Sequence, residues 1–138
     1  MAQGARLGSV VMFVHELDRS VGFYADVLAL EVADRSPTAA LLTSPGGAGL
    51  ILRAMGQTAP HPLGSVGVQY VVWTAAGRED LARCERALAG HGAHRGTRSN
   101  DGITVVEGRD PDDMVLMMTY PGPDQLPLRE LPVRIYGW

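Results

Sequence analysis

The sequence holds little that would support a disulfide, a thiolate metal cluster or a membrane anchor. Its 138 residues include a single cysteine, Cys84, which excludes a disulfide within the chain and any metal cluster built on several cysteines. The apolar run at residues 10–14 is too short to cross a bilayer or to form a signal peptide, and it ends at His15 and Glu16. We therefore expect a cytoplasmic protein that has no membrane partner.

Positive charge is scarce as well. Twelve Lys and Arg residues stand against fifteen Asp and Glu residues, for a formal net charge of -3 at pH 7. Proteins that bind nucleic acids or anionic membranes concentrate basic residues, so this balance argues against both partners. Hydrophobic residues make up 46% of the chain, which is enough to form the core of a single domain of this length.

Apolar runs alternate with turn residues in the first half of the chain. Residues 9–14 form a continuous apolar run rich in β-branched residues, which predicts a strand buried on both faces. Asp18 is a candidate N-cap for a helix over about residues 19–28, where apolar residues recur at helical spacing. Turn residues separate three further predicted strands, at 30–33, 39–43 and 50–54.

The second half repeats this order of elements. A linker with prolines and glycines at 56–64 separates module one, residues 7–55, from module two, residues 65–120. Module two is predicted to hold a strand at 66–73, a helix at 78–89 and strands at 93–96, 103–107 and 115–120. The chain is thus a single domain, 1–138, of two tandem βαβββ modules. Its apolar C-terminal tail, 121–138, is expected to strap the body or to edge a cavity.

One helix for four strands leaves one face of each sheet without a helix to cover it. Two such sheets side by side would form one curved eight-stranded mixed sheet, with the helices on its convex face and a ligand cavity on its concave face. This is an α+β fold. Both faces of the first strand of each module are apolar, so periodicity leaves open which side chains face the cavity.

Two segments resemble a known family. The stretch Glu16–Tyr24 (ELDRSVGFY), followed by Val27 and Leu28, is similar to the opening of the first module in the vicinal oxygen chelate superfamily, which includes glyoxalase I, bleomycin-resistance proteins and extradiol dioxygenases. The stretch Asp110–Met117 (DPDDMVLM) is similar to the closing turn and strand of that superfamily. The resemblance covers both modules, and it implies the tandem fold and a homodimer.

The resemblance also implies where a metal would be held. The superfamily takes one ligand from the first strand and one from the last strand of each module, typically His, Gln or Glu. The corresponding positions here are Ser9, Ile51 (or Arg53, one strand period further), Gln69 and Met117. Only Gln69 suits the divalent cations that such sites bind. We therefore expect no metal and no other cofactor.

The same correspondence implies which residues line the cavity. The lining is mostly apolar, with one large aromatic ring and one cation, and this suits a small apolar or aromatic molecule. The expected lining residues are Ser9, Val11, Phe13, Ile51, Arg53, Gln69, Val71, Trp73, Val115, Met117 and Thr119. Phe13 and Trp73 either stack on a ligand ring or fill the core. Arg53 either pairs with a carboxylate or phenolate or ends a strand in solvent.

The remaining reactive residues show no catalytic pattern. His91 and His94 flank Gly92 in an expected loop, and they lack the further ligands that a zinc site needs. The acidic residues around Asp110 predict a solvated turn. Cys84 falls on the apolar stripe of the second helix, which predicts a buried and unreactive thiol.

These features favour a metal-independent protein that binds a small apolar or aromatic molecule, in the manner of bleomycin-resistance proteins. Resistance to a drug-like metabolite would then follow from its sequestration. The alternative is an enzyme of the superfamily. It would be a metal-free isomerase, cyclase or lyase, or else a metal-dependent lyase or dioxygenase with displaced ligands, although the expected lining offers no His, Asp or Glu as a base.

Overall fold

The computed structural model of this protein describes residues 3–60, 65–100 and 102–121. Two units divide the chain, Met1–Ala59 and Pro60–Trp138, and the division falls within the predicted linker. Part of that linker, 61–64, lies outside the described residues, as do 122–138 and with them the expected path of the tail. Neither helix in the described part of the chain is long and apolar enough to cross a membrane.

The first unit is one βαβββ module. Its elements are β1 (Ser9–Val14), α1 (Leu17–Val27), β2 (Glu31–Arg35), β3 (Ala39–Thr43) and β4 (Gly49–Ala54). The strands form a four-stranded sheet in the order β1-β4-β3-β2. The pair β1 and β4 is parallel, whereas β3 is antiparallel to both β4 and β2. The connection from β1 through α1 therefore returns the chain to the far edge of the sheet.

The second unit repeats this architecture. Its elements are β5 (Val71–Thr74), α2 (Arg78–Gly90), β6 (His94–Asn100), β7 (Ile103–Arg109) and β8 (Val115–Tyr120). The order of its four-stranded sheet is β5-β8-β7-β6, with β5 parallel to β8 and the other pairs antiparallel. The predicted α+β fold of two tandem βαβββ modules is confirmed.

Helix α1 covers one face of the first sheet. Leu42, Leu50 and Leu52 are fully buried on that face, and Tyr24 and Val27 of the helix are buried with them. The opposite face carries Val11 and Phe13, whose side chains are 58% and 64% exposed. The prediction of a first strand buried on both faces is therefore wrong, because α1 covers the side of the sheet that holds Leu50 and Leu52, whereas Val11 and Phe13 face the other side.

The start of α1 also differs from the prediction. The helix begins at Leu17, two residues before the predicted start, and Glu16 occupies the N-cap position without a side-chain hydrogen bond to the helix. Asp18 lies in the first turn, where it forms an ion pair with Arg35 of β2. An acidic residue is favourable anywhere in the first helical turn, so composition alone could not separate a cap from a first-turn position.

Strand β5 is shorter than predicted. It begins at Val71, because β8 pairs only with Val71–Thr74, and residues 66–70 lie outside any strand. In that segment Gly67 has a φ of 136°, a backbone conformation that residues other than glycine rarely adopt. Val66 and Val68 are exposed. The predicted strand start at residue 66 is therefore wrong. That prediction relied on the apolar, β-branched residues of 66–70.

Gly108 of β7 lies where α2 approaches the second sheet most closely. A Cβ at this position would lie 2.8 Å from Leu88 Cδ2 and 2.9 Å from the carbonyl oxygen of Ala93. That oxygen accepts a hydrogen bond from the Arg109 amide, so it is not free to move away. A Cβ therefore fits here only if the Leu88 side chain and the Ala93 backbone shift.

We expect Gly108→Ala to lower the free energy of unfolding by about 1–3 kcal/mol, through overpacking of this contact. The matched control is Gly96→Ala in β6, because a Cβ there meets no atom within 4 Å. That change should alter stability by less than about 0.5 kcal/mol. Urea denaturation of the two variants measures the difference, and equal effects would contradict the close approach.

Cys84 is buried on α2, as expected, and burial raises the pKa of its thiol to about 11 although the neighbouring Arg83 lowers it. The thiolate is the reactive form, so iodoacetamide at pH 8 should label the native protein far more slowly than the urea-unfolded protein.

The same pKa shift predicts a pH dependence of stability. The folded pKa lies above the reference value of 9.0, so the contribution of the neutral thiol is complete below about pH 9 and is lost as the pH rises towards 11. The free energy of unfolding should fall more steeply over that range in the wild type than in Cys84→Ala. Parallel pH profiles would show that the thiol titrates normally in the fold.

Candidate functional site

The face of the first sheet that lies away from α1 carries the expected lining residues of module one. Val11 is the register partner of Ile51, and Phe13 is the partner of Arg53, so these four residues lie on one face of two adjacent strands. Ser9, the partner of Gly49, completes the row. The structure thus brings together all of the predicted positions in this module.

This open face combines apolar area with one cation. Phe13 and Val11 are largely exposed, whereas Ile51 is half-buried between them and Leu41 of β3, its other register partner. Arg53 is exposed beside Phe13, and no hydrogen-bond or ion-pair partner holds its guanidinium within the described part of the chain. An aromatic side chain and an unpaired cation therefore stand side by side on adjacent strands.

The corresponding face of the second sheet is different in character. Val115, Met117 and Thr119 lie on the face away from α2, where Val115 and Met117 form a buried cluster with Ile103 and Val105. Met117 and Thr119 are 0% exposed. The Thr119 hydroxyl has no hydrogen-bond partner among the described residues. The two modules thus place equivalent strand positions in opposite environments, one exposed and one buried.

Val71 and Trp73 do not share this face with Met117. Their register partners on β8 are Leu116 and Met118, whose side chains point to the α2 side. That side is identified by Gly108, the partner of Leu116, which meets Leu88 of α2. The expectation that Val71 and Trp73 line the same face as Val115, Met117 and Thr119 is therefore wrong.

Tyr70 and Val72 take the places expected for Gln69 and Val71. Both pack against the cluster that contains Met117. Gln69 precedes β5, and its side-chain amide donates to the carbonyl oxygens of Ser65 at 2.6 Å and Gly67 at 2.9 Å. Its side chain therefore holds the local turn. Residues 68–73 are apolar at nearly every position, so only the register with β8 could reveal which of them share a face.

The metal positions implied by the family resemblance can be tested on their donor chemistry. Ser9 carries a neutral hydroxyl, Ile51 carries no donor atom, and Met117 carries a buried thioether. The Gln69 amide is engaged in its own turn. These residues do not fit a divalent cation bound through oxygen and nitrogen ligands. Among the described residues, no group of three or more His, Cys, Asp or Glu side chains is placed to hold a metal ion.

Leu41 and Ala39 were missing from the predicted lining. Both lie on β3, where they are the register partners of Ile51 and Arg53, so they extend the open face by one strand. The alternation of half-buried and buried residues along β3 is visible in the structure. The sequence did contain a signal for these two residues. A short turn joins the antiparallel strands β3 and β4 and limits the registers in which they can pair, and the register decides which residues of β3 share a face with Ile51 and Arg53.

Comparisons with known proteins agree with this architecture. The profile of the Glyoxalase/Bleomycin resistance protein/Dioxygenase superfamily matches residues 6–124. A solved glyoxylase/bleomycin resistance protein/dioxygenase domain from Frankia sp. EAN1pec is 25% identical with a TM-score of 0.70, and the match covers 86% of this chain and 92% of that one. No curated protein sequence matches the chain significantly.

Two further solved structures share the fold at lower identity. A lactoylglutathione lyase from Agrobacterium tumefaciens is 17% identical with a TM-score of 0.64, over 86% of this chain and 95% of that one. The oxidase ChaP-H2 is 18% identical with a TM-score of 0.65, over 83% of this chain and 92% of that one. A lyase and an oxidase thus have the same fold, which shows that the fold alone does not assign a reaction.

The contrast between the exposed face of the first sheet and the buried face of the second predicts opposite responses to truncation. Phe13→Ala should change the free energy of unfolding by less than about 0.5 kcal/mol, because the side chain is 64% exposed. Met117→Ala should lower it by about 2–5 kcal/mol, because it leaves a cavity in a buried cluster. Chemical denaturation of both variants tests this, and a large loss for Phe13→Ala would show that its ring is packed in solution.

Proposed function

The chain belongs to the Glyoxalase/Bleomycin resistance protein/Dioxygenase superfamily, and we propose that it binds a small, largely apolar or aromatic molecule without using a metal. The ligand would lie on the open face of the first sheet, the face defined by Ser9, Val11, Phe13, Ile51 and Arg53. Such a protein would act by sequestration: it lowers the free concentration of a drug-like metabolite by mass action, and the bound ligand stabilises the fold in turn.

The observation that carries this proposal is the exposed aromatic ring of Phe13 beside the exposed Val11. Side chains of this size gain about 1.5–3 kcal/mol each when they are fully removed from water. Together with Ile51 and Leu41 on the same face, these two exposed side chains form a continuous apolar surface across three strands. Apolar surface of this kind marks a binding face more often than a random feature of the exterior.

Arg53 narrows the chemistry of the ligand. Its guanidinium has no carboxylate partner in the described chain and lies one strand away from the Phe13 ring. A guanidinium forms two parallel hydrogen bonds with a carboxylate and also pairs with a phenolate. A flat ring carrying one such anionic group would cover Phe13 and reach Arg53 at the same time. We propose an aromatic carboxylate or phenolate as the ligand class.

The donor chemistry at the four implied metal positions supports binding without a cation. Among the five residues that define the open face, the polar ones are Ser9 and Arg53. These groups can orient a ligand and stabilise negative charge on it, but they offer no site for proton abstraction near neutral pH. We further propose that the protein works as a homodimer, in which a second copy completes the enclosure of the ligand.

Naphthoate and its neutral analogue naphthylmethanol test the roles of the ring and the cation. Phe13→Ala should weaken both compounds by about 1–2 kcal/mol, because the stacking surface is lost for both. Arg53→Gln should weaken naphthoate by about tenfold or more and leave naphthylmethanol unchanged, because only the carboxylate pairs with the guanidinium. Isothermal titration calorimetry, preceded by a thermal-shift screen of related aromatic acids, measures these changes.

Arg86→Gln is the matched control, because Arg86 is an exposed arginine of α2 in the other unit. Three results would contradict the proposal. They are affinities that neither Phe13→Ala nor Arg53→Gln alters, a ligand recovered in a converted form after long incubation, and stoichiometric iron, zinc or manganese in protein purified without chelators. The second result would favour a metal-free enzyme, and the third a metalloenzyme with displaced ligands.

A further inference from the structure

A second candidate site lies on the opposite side of the second sheet from Met117. Helix α2 and strands β6, β7 and β8 enclose a groove of about 220 Å³, with Leu81 and Val106 on its apolar floor. This volume is below the roughly 300–1,000 Å³ of sites for drug-sized ligands. The groove therefore accommodates a small metabolite, and it does not include the face proposed above.

One end of the groove is positively charged. Arg78, the first residue of α2, places its guanidinium 6.0 Å from the centre of the Tyr120 ring, an arrangement that holds the cation over an aromatic face. In the described part of the chain, no carboxylate lies within ion-pairing distance of this guanidinium. Its hydrogen-bond donors are therefore available to an anionic group in the groove.

The other end is negatively charged and is held in place. The Thr97 hydroxyl donates its single proton to Glu85 Oε2. His94 Nε2 lies 2.8 Å from the same hydroxyl oxygen, so the ring nitrogen is the donor in that contact. The chain of hydrogen bonds runs from His94 through Thr97 to Glu85, and it fixes the carboxylate while leaving its other oxygen able to accept a proton donor. His94 lies at the start of β6, not in the loop expected from the sequence.

The two charged ends are separated by an apolar middle. Arg78 and Glu85 are seven residues apart on one helix, a rise of about 10 Å along its axis. Ala82 lies between them along the groove, above the apolar floor. A ligand with a single charge would leave one end without a partner, whereas a linear molecule with an anion at one end and an ammonium at the other would satisfy both.

We propose that this groove is a second binding site, which takes a small linear zwitterion with its carboxylate at Arg78 and its primary ammonium at Glu85. The methylene chain of such a molecule lies over Ala82 and Leu81. Omega-amino acids belong to this class. The site stands on its own residues and does not depend on the function proposed for the first sheet.

The probe is ε-aminocaproate, compared with caproate and hexylamine, each of which lacks one of the two charges. Titration followed by NMR should give saturable binding of ε-aminocaproate, with shifts at the amides of Arg78, Ala82, Glu85 and Thr97. Caproate and hexylamine should each bind at least about tenfold more weakly than ε-aminocaproate, because each loses one charge-assisted contact. Arg78→Gln and Glu85→Gln should each weaken the zwitterion to a similar degree.

Matched controls are Arg86→Gln and Glu79→Gln, which remove the same charges from α2 at exposed positions outside the groove. Circular dichroism confirms that each variant is folded. Phe13→Ala should leave ε-aminocaproate binding unchanged, which separates this site from the open face of the first sheet. Four results would each overturn the proposal. Two concern affinity: ε-aminocaproate and caproate bind equally well, or ε-aminocaproate shows no saturable binding. The other two are an effect of only one of the two groove variants and chemical shift changes confined to β1 and β4.

Discussion

The packing of one helix against one face of each four-stranded sheet is the constraint on which the placement of every candidate residue depends. In the first unit α1 buries Leu42, Leu50 and Leu52, and strand geometry then turns Val11 and Phe13 to the other side. In the second unit the contact of α2 with Gly108 defines the helix side. The register of β7, β8 and β5 then assigns the paired side chains of these three strands to one face or the other.

This constraint explains how two modules of the same architecture come to differ chemically. The open face of the first sheet exposes an aromatic ring beside an arginine, whereas the equivalent strands of the second sheet bury Met117 and an unpartnered Thr119 hydroxyl within the described part of the chain. The metal positions implied by the resemblance, Ser9 and Ile51 in the first module and Gln69 and Met117 in the second, do not form a donor set for a divalent cation in either module. Two modules can thus share one architecture while the residues at equivalent strand positions differ in chemistry.

The α2 side of the second sheet illustrates how a packing face can also carry polar groups. Thr97 of the edge strand β6 and Thr104 of the neighbouring β7 line the groove beside α2. Glu85 and Arg78 remain partly exposed there, so their charges avoid the large desolvation penalty of a buried position. Polar residues at such a margin are compatible with the stability of the core and available for a ligand.

The sequence by itself determined the tandem βαβββ order and the bounds of β1, β3 and β8, because apolar runs, turn residues and helical spacing are local signals. It also determined that three of the four implied metal positions, Ser9, Ile51 and Met117, carry side chains poorly suited to a hard divalent cation, since this follows from side-chain chemistry alone. Only the tertiary structure decided that β5 begins at Val71 and that Trp73 lies on the α2 side. Those facts depend on hydrogen-bond register with β8, and a strand that is apolar on both faces contains no local signal of which neighbour it will pair with.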